Sequence, residues 1–320
     1  MQARMRCNMS SLSAVERAKF MFDLNGFIVV RGVLSPEQVK AANDGINAHK
    51  FHERVGGTRN SDRGTLFEGD SKTGRFDMAG MLGWEGEHKN VFREMLAHPK
   101  LVPYIDMLVG KGYRLDHSPL VLAQEKGSEG FKLHGGSLRP DTGEFIPSLQ
   151  YVCKNGGMYN TLIGVSYQLT DHNPGDGGFA VVKGSHKINF APSTAMLNCT
   201  DADFFEQCVS QPVTKAGDVV LFSEATIHGC LPWTADIQRR VALFRFSPAH
   251  LAFARGYTNW PQEFLEGMTD EQLACMLPPY HQMYDRPLVA EQDNRLQVQV
   301  KGRSEVKKQF DKKVFGTDYY

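Results

Sequence analysis

A series of short apolar segments between residues 159 and 246 constrains the fold of this chain more than any other feature. Aromatic and β-branched residues are concentrated in segments 159–169, 179–182, 219–222 and 240–246. Turn signals rich in glycine, proline and aspartate follow these segments at close intervals, and no long helical pattern intervenes. The sequence therefore predicts short antiparallel strands that form a barrel or jelly roll.

Helical patterns flank this β-rich region. Residues 12–22 have apolar side chains at helical spacing. Ser35, Pro36 and Gln38 form a capping-box pattern that predicts a helix to about residue 48. Residues 52–90 are polar and glycine-rich, which predicts an ordered loop or insertion.

These patterns together predict one mainly β domain with flanking helices, of the α+β class. Within it, residues 12–110 should supply N-terminal helices, a strand and a loop, and residues 111–250 the jelly-roll core. Residues 251–320 contain a capping-box spacing from Thr269 to Gln272 and a Lys- and Gln-rich tail, which predict a C-terminal helical extension.

Composition narrows the range of partners. The 320 residues include 36 basic and 36 acidic side chains, so the formal net charge is zero. This balance gives no general attraction to nucleic acid or to an anionic membrane, and no apolar run approaches membrane-spanning length. Six widely separated cysteines are typical of reduced thiols in the cytoplasm. We therefore expect a cytoplasmic protein without a nucleic-acid or membrane partner, and its oligomeric state stays open at this point.

Two histidines stand in similar settings about ninety residues apart. His134 lies in Phe-Lys-Leu-His-Gly-Gly-Ser, and His228 lies in Phe-Ser-Glu-Ala-Thr-Ile-His-Gly. Two histidines and one carboxylate make the facial triad of non-haem iron(II) oxygenases, which leaves other coordination positions open. The usual carboxylate sits two residues after the first histidine, where this chain has Gly136.

Several motifs carry a resemblance to a known family. They are Asn-Gly-Phe-Ile-Val-Val-Arg-Gly-Val-Leu-Ser-Pro-Glu-Gln-Val at 25–39, the segment 169–187 that ends in Gly-Ser-His-Lys, Gly-Asp-Val-Val-Leu-Phe at 217–222, and His-Gly at 228–229. Over roughly residues 20–250 the sequence resembles the phytanoyl-CoA dioxygenase family. The resemblance implies a double-stranded β-helix (a cupin-like jelly roll) framed by helices, with iron(II) and 2-oxoglutarate as cofactors.

The resemblance also implies roles for individual residues. His134 and His228 would ligate iron, and Arg239, eleven residues after His228, would bind the far carboxylate of 2-oxoglutarate. A guanidinium suits this role because it holds a carboxylate through two parallel hydrogen bonds. Arg240 is the rival, since strand alternation lets only one of the two point inward. Tyr159 and Asn160 are weaker candidates for contacts with 2-oxoglutarate.

Three further residues are less specific. Cys230 stands where the family commonly has a hydroxyl residue, two positions after the second histidine. Gln124 is a further candidate to face the cavity. His186 lies in the Gly-Ser-His-Lys motif, and we predict a structural role for it because that segment closes a turn between strands.

The missing carboxylate admits several substitutes. Glu129, Asp141 and Glu144 are near His134 in sequence, and Asp141 is the preferred one because it lies on a flexible segment. Glu224 precedes His228 by four residues, which is roughly 13 Å on an extended strand. It could reach the same ion only if the strand were broken.

Three functions remain open at this point. The main prediction is an iron(II)/2-oxoglutarate-dependent dioxygenase that hydroxylates a small molecule. The first alternative is a halogenase of the same type, in which chloride or bromide occupies the position that Gly136 vacates. The second alternative is a binding protein on the same fold that has lost its metal.

Overall fold

The computed structural model describes residues 12–54 and 64–316 of the chain. Its strands are β1 (Phe27–Val30), β2 (His52–Arg54), β3 (Arg75–Ala79), β4 (Arg114–Leu115), β5 (Leu120–Gln124), β6 (Phe131–His134), β7 (Tyr151–Lys154), β8 (Gly157–Asn160), β9 (Ile163–Gln168), β10 (Gly178–Val182), β11 (Val209–Ser210), β12 (Val219–Ser223), β13 (His228–Leu231), β14 (Arg239–Ser247), β15 (Pro287–Gln292) and β16 (Arg295–Val300). Its α-helices are α1 (Ala14–Asn25), α2 (Pro36–Asn47), α3 (Asn90–Glu94), α4 (Val102–Val109), α5 (Thr194–Leu197), α6 (Ala202–Cys208), α7 (Gln262–Leu265), α8 (Asp270–Met276) and α9 (Glu305–Phe315).

Two antiparallel sheets form a double-stranded β-helix. The larger sheet has the order β1-β12-β9-β14-β5-β3-β2, with β4 paired to the far end of β14. The smaller sheet has the order β11-β10-β13-β6. The predicted jelly roll is thus confirmed, and strands that are distant in sequence become neighbours in each sheet.

Strand β14 shows how alternation divides the molecule into a cavity and a core. Its cavity-facing side chains are Arg239, Val241, Leu243 and Arg245. Its opposite face places Ala242, Phe244 and Phe246 in the main apolar core, together with residues of α2, α4 and α8. Burial of each of these two phenylalanines contributes about 1.5–3 kcal/mol. Reversing this alternation would expose the core, so the register that directs Arg239 inward is strongly specified.

The N-terminal helices begin where their capping residues predict. The Ser35 hydroxyl accepts a hydrogen bond from the Gln38 backbone N–H, and the Gln38 side-chain oxygen accepts one from the Ser35 backbone N–H, which begins α2. Ser13 and Glu16 form the same reciprocal pair at the start of α1. Both helices pack beside the outer face of the larger sheet.

The segment 52–90, predicted as a loop, contributes strands instead. Within the part that the structure describes, β2 pairs with β3, and β3 pairs with β5, so the segment extends the edge of the larger sheet. Its polar composition hid this because an edge strand buries only part of its surface. Residues 55–63 of the predicted loop lie outside the described residues.

The C-terminal extension is not purely helical, which corrects the sequence prediction. Strands β15 and β16 form a hairpin before α9. Asp293 and Asn294 make its two-residue turn with φ values of 53° and 59°. Such turns favour the twist of a hairpin, and Asp and Asn tolerate positive φ. No helix among the described residues is long and apolar enough to cross a membrane.

Candidate active site

A cavity of about 400 Å³ lies between the two sheets. Its apolar lining includes Leu120, Leu122, Phe131, Phe179 and Phe222. Its basic side chains are His134 and His228 from the smaller sheet and Arg75, Arg239 and Arg245 from the larger sheet. A mostly apolar pocket with a few converging polar groups is typical of a small-molecule site.

The two histidines face each other across neighbouring strands. His134 ends β6 and His228 begins β13, and the register of this strand pair sets them directly opposite. Their ring centres are 4.3 Å apart. A ring whose Nε2 is about 2.1 Å from a metal ion has its centre roughly 3.2 Å from that ion. Two such rings whose metal–nitrogen bonds make an angle of about 90° therefore have centres roughly 4.5 Å apart. The observed separation therefore fits two imidazoles on one ion.

The hydrogen bonds of the two rings favour the ligating tautomer. Nδ1 of His134 lies 3.1 Å from the Lys132 carbonyl, and Nδ1 of His228 lies 2.8 Å from the Thr226 carbonyl. A carbonyl only accepts, so each Nδ1 carries the hydrogen and each Nε2 keeps its lone pair. Burial and the neighbouring His228 lower the pKa of His134 to about 3. Burial also lowers the pKa of His228, against the opposing effect of Glu224, so both rings are neutral near pH 7.

Arg239 points into the cavity and lacks an anionic partner. The side chain is buried, and its Nη1 donates to Gln124 Oε1 at 2.9 Å. Its Nε has no hydrogen-bond partner, and no acid in the described part of the chain forms an ion pair with it. Burial lowers the pKa of Arg239, which reflects the cost of its desolvated charge. The side chain is thus suited to receive an anion.

Arg240 faces away from the cavity. Its guanidinium donates to Asn43 Oδ1 at 3.1 Å and to Gln238 Oε1 at 2.5 Å, on the opposite side of β14. Of the two neighbouring arginines, only Arg239 lines the cavity among the described residues. The sequence spacing that favours Arg239 therefore agrees with the geometry.

The structure does not bring the two weaker candidates to the cavity. Tyr159 and Asn160 lie on the β7–β8 hairpin, and neither is among the described residues that line the cavity. The hydroxyl of Tyr159 lies 3.5 Å from Nε2 of His250. The amide of Asn160 is buried and donates to the Leu108 carbonyl at 2.9 Å. Both residues therefore have packing roles. They lie on the β7–β8 hairpin, which is separate from the two large sheets, and Asn160 contacts α4.

The glycine pair after His134 is required by its backbone. Gly135 and Gly136 have φ values of 89° and 94°, which L-residues rarely adopt. A Cβ on Gly135 would lie 2.7 Å from the Thr226 carbonyl oxygen and 2.9 Å from that of Glu224. A Cβ on Gly136 would meet only Ile227 Cγ1, at 3.6 Å. The chain after β6 thus makes a close backbone contact with the turn before β13.

Glu224 lies beside the histidines, contrary to the distance expected on a continuous strand. Strand β12 ends at Ser223, and the Thr226 N–H donates to the Ser223 carbonyl at 2.9 Å to close a tight turn. This turn brings Glu224 Oε2 to 3.5 Å from His228 Nε2. The other carboxylate oxygen accepts from Arg245 Nε at 2.6 Å. The strand is broken where it must be for Glu224 to reach the histidine pair.

The environment of Glu224 keeps it ionised. Burial raises the pKa of this carboxyl, but the charges of Arg245 and His228 and the hydrogen bond from Arg245 outweigh burial and lower the pKa to about 2. In the described conformation no three His, Cys, Asp or Glu side chains are arranged to coordinate one ion together. Glu224 is engaged with Arg245 instead.

The preferred substitute acids do not reach the cavity. Asp141 and Glu144 are exposed, and Glu144 pairs with Arg139 at 3.2 Å. Glu129 is half-buried on the loop before β6, where its carbonyl accepts from the Gln124 amide at 2.9 Å. None of these three acids is among the described lining residues.

Sequence reasoning missed Arg75 and Arg245. Arg245 lies six residues after Arg239 on one strand, so alternation alone could have placed it on the cavity face. Arg75 had no such signal, because its segment looked like a loop. Its Nε donates to Asp77 Oδ1 at 2.9 Å, and its guanidinium lies 5.9 Å from the Phe131 ring centre.

The fold and the site together define a class of protein. It is a jelly roll whose smaller sheet holds two neutral histidines suited to one metal ion and whose larger sheet holds an arginine suited to an organic anion. A family profile described as phytanoyl-CoA dioxygenase (PhyH) matches residues 22–241. The chain belongs to the phytanoyl-CoA dioxygenase family.

Solved structures with the same fold include metal- and 2-oxoglutarate-bound proteins. HygX from Streptomyces hygroscopicus, with nickel and 2-oxoglutarate bound, is 21% identical with a TM-score of 0.58, over 76% of this chain and 89% of that one. The non-haem α-ketoglutarate-dependent epimerase SnoN from nogalamycin biosynthesis is 19% identical with a TM-score of 0.51, over 74% and 84% of the two chains. AviO1 from Streptomyces viridochromogenes is 14% identical with a TM-score of 0.54, over 77% and 100%.

These structures establish likeness of fold at low sequence identity. A search of curated protein sequences found no match. Family membership and the bound cofactors of the neighbours support an iron(II)/2-oxoglutarate-dependent enzyme as the general class.

Proposed function

We propose that this protein is an iron(II)/2-oxoglutarate-dependent oxygenase that hydroxylates a C–H bond of a small molecule. In the overall reaction, substrate, dioxygen and 2-oxoglutarate yield hydroxylated substrate, succinate and carbon dioxide. One oxygen atom enters each organic product. When bound, iron(II) and 2-oxoglutarate supply the activation of dioxygen that this chemistry needs.

The observation that carries the proposal is the buried, unpaired Arg239 in the same cavity as the two neutral histidines. A buried guanidinium without an anion is costly, so its retention points to an anionic ligand. A dicarboxylate fits both ends of this arrangement, with one carboxylate on Arg239 and the other end at the ion held by His134 and His228. Gln124 supports the arginine by accepting from its Nη1.

The rest of the cavity supports a small substrate. Phe131 packs against the His134 ring, and Phe179 and Phe222 pack against the His228 ring, so the wall beside the histidines is apolar. Solved relatives HygX and SnoN bind hygromycin B and a nogalamycin compound, which shows that this fold accommodates small molecules of considerable size. The identity of the substrate in this chain stays open, because fold does not fix substrate. Reduced cysteines are in keeping with a cytoplasmic setting, and the five described ones are free.

Halogenation is the second candidate, and Gly136 is the observation that favours it. A glycine at this position removes the usual carboxylate and could admit chloride or bromide. If the protein is a hydroxylase, as proposed, hydroxylated product and succinate should form in halide-free buffer. A product that requires chloride or bromide would replace hydroxylation with halogenation.

The test compares two adjacent arginines. Arg239→Met should weaken 2-oxoglutarate binding, measured by calorimetry in the presence of Mn²⁺, by about 10- to 100-fold, since it removes charge-assisted hydrogen bonds. It should also abolish iron-dependent formation of succinate. Arg240→Met is the matched control, because its side chain lies on the opposite face of β14 and should leave the affinity unchanged.

Two results would contradict the proposal. Equal loss in both variants would show that the effect is structural. Unchanged binding in Arg239→Met, or ligand binding with no iron-dependent succinate in the wild-type protein, would favour a non-catalytic binding protein.

A further inference from the structure

We propose that Glu224 supplies the carboxylate of the metal site, in place of the acid that Gly136 lacks. This inference rests on the proposed function and identifies a third protein ligand for the same ion. Arg245 would act as a positioning residue that holds the second oxygen of this carboxylate. The acid would then come from the turn before the second histidine rather than from the strand that ends in the first.

The direction of the Glu224 side chain is set by its contacts just after β12 ends. Its carboxylate lies between the His228 ring and the guanidinium of Arg245, both of which line the cavity. The chain then turns at residues 224–226, and His228 begins β13 on the smaller sheet. Glu224 therefore lies where the two sheets meet, beside the ring that follows it by four residues.

The distance between the donors fits a shared ion. Glu224 Oε2 lies 3.5 Å from His228 Nε2. Two donors that are each about 2.1 Å from one ion are roughly 3.0 Å apart at a right angle and roughly 3.4 Å apart at a tetrahedral angle. A shift of a few tenths of an ångström would thus bring the observed pair to a coordinating separation. The ring of His134 neighbours that of His228, with ring centres 4.3 Å apart, so His228 contacts both of the other two groups.

Arg245 binds one of the two carboxylate oxygens of Glu224 and leaves the other free for the metal site. Its Nε donates to Oε1 at 2.6 Å, which leaves Oε2 toward His228. Metal-ligating carboxylates are usually hydrogen-bonded in this way by a second residue, which fixes their orientation. Arg245 itself lies on the cavity face of β14, so the larger sheet supplies the residue that orients this carboxylate.

The glycine pair explains why the acid cannot come from its usual segment. The Gly135 backbone contacts the carbonyls of Glu224 and Thr226 so closely that a Cβ there would overlap them. Gly136 follows at a φ of 94°, where an aspartate would be strained. The contact that Gly135 permits also brings the Glu224 turn to the histidines, whereas at Gly136 the space is open and backbone strain alone disfavours an acid. With three protein ligands in place, the halide position of the halogenase alternative is filled.

The test measures metal affinity rather than activity. Mn²⁺ is titrated calorimetrically into the wild-type protein and three variants without 2-oxoglutarate. Glu224→Gln keeps the size and the contact with Arg245 but removes the charge, and we expect it to weaken binding at least about 10- to 100-fold. His228→Ala should abolish binding. Asp77→Asn is the matched control, because Asp77 also pairs with a cavity arginine, at 2.9 Å, and lies on another strand; its affinity should equal that of the wild type.

A fourth variant guards against misfolding. Arg245→Met breaks the same ion pair but keeps the carboxylate, so it should bind Mn²⁺ more tightly than Glu224→Gln does. Wild-type affinity in Glu224→Gln with loss in His228→Ala would overturn the role of Glu224 and leave the proposed function intact. Equal loss in Glu224→Gln and Arg245→Met would assign the effect to the ion pair and also overturn it. Absence of Mn²⁺ binding in the wild type would instead overturn the proposed function.

Discussion

Two segments approach the histidine pair from opposite strands and differ in what they bring. The Gly135–Gly136 segment follows His134 and brings only backbone, at φ values near 90°. The turn from Glu224 to Ile227 precedes His228 and brings a buried carboxylate held by Arg245. They touch through the Gly135 backbone and the carbonyls of Glu224 and Thr226.

This difference teaches that a site can keep its chemistry while the sequence position of a ligand moves. The usual motif has the metal-ligating acid two residues after the first histidine, so a glycine at that position suggests that a ligand has been lost. In space, the vacated segment and the acidic turn are neighbours, and the absence of a side chain at Gly135 is what lets them meet. A metal-ligand motif is therefore defined better by the positions of its side chains in the fold than by their spacing in the sequence.

The largest expected effect separates the two glycines. Gly135→Ala should lower the free energy of unfolding by about 2–5 kcal/mol, because it adds left-handed strain to overlap with two carbonyls. Gly136→Ala should lower it by only about 1–2 kcal/mol, since its Cβ has ordinary space and only the strain remains. Urea denaturation of both variants measures the difference. Equal losses would contradict the close contact between the two segments.

A transplanted acid tests whether the first segment can serve the site. Gly136→Asp should lose about 1–2 kcal/mol of stability through backbone strain and gain no affinity for Mn²⁺. Combined with Glu224→Gln, it should fail to restore binding. Restoration of wild-type affinity in the double variant would show that the position after His134 is open to a ligand after all.

A further comparison contrasts two buried acids. Glu224 has a guanidinium beside it, whereas burial without such a partner raises the pKa of Asp106 to about 7. A carboxyl whose pKa is higher in the folded state stabilises the fold at low pH and loses that contribution as pH rises through 7. Asp106→Asn should therefore be more stable than the wild type by about 2 kcal/mol at pH 8, and the gap should vanish below pH 4. A gap that is independent of pH would contradict the assigned environment.

Much of the fold was predictable because it rests on local signals. The β-rich segments, the capping boxes at Ser35 and Thr269, and the family motifs all gave elements that the structure contains. The edge strands β2 and β3 and the hairpin β15–β16 were not predicted. Their residues are polar on at least one face, and the pairing of β3 also depends on β5, a partner distant in sequence.

The candidate site was predictable where alternation and family spacing agree, as for Arg239. It was not predictable where the position of a side chain depends on a turn. Glu224 looked too distant because a continuous strand was assumed, and the end of β12 at Ser223 reverses that conclusion. Tyr159 and Asn160 looked suitable by strand position, but they lie on the β7–β8 hairpin and do not line the cavity.

The most direct measurement of the central claim is anaerobic addition of iron(II) and 2-oxoglutarate, followed by visible absorption. The wild-type protein should develop the charge-transfer band of an iron(II) ion chelated by 2-oxoglutarate. His228→Ala should lose this band, and His172→Ala, which replaces a buried histidine outside the described cavity lining, should keep it. Absence of the band in the wild type at saturating 2-oxoglutarate, or its persistence in His228→Ala, would contradict the assignment of this cavity as an iron(II)/2-oxoglutarate site.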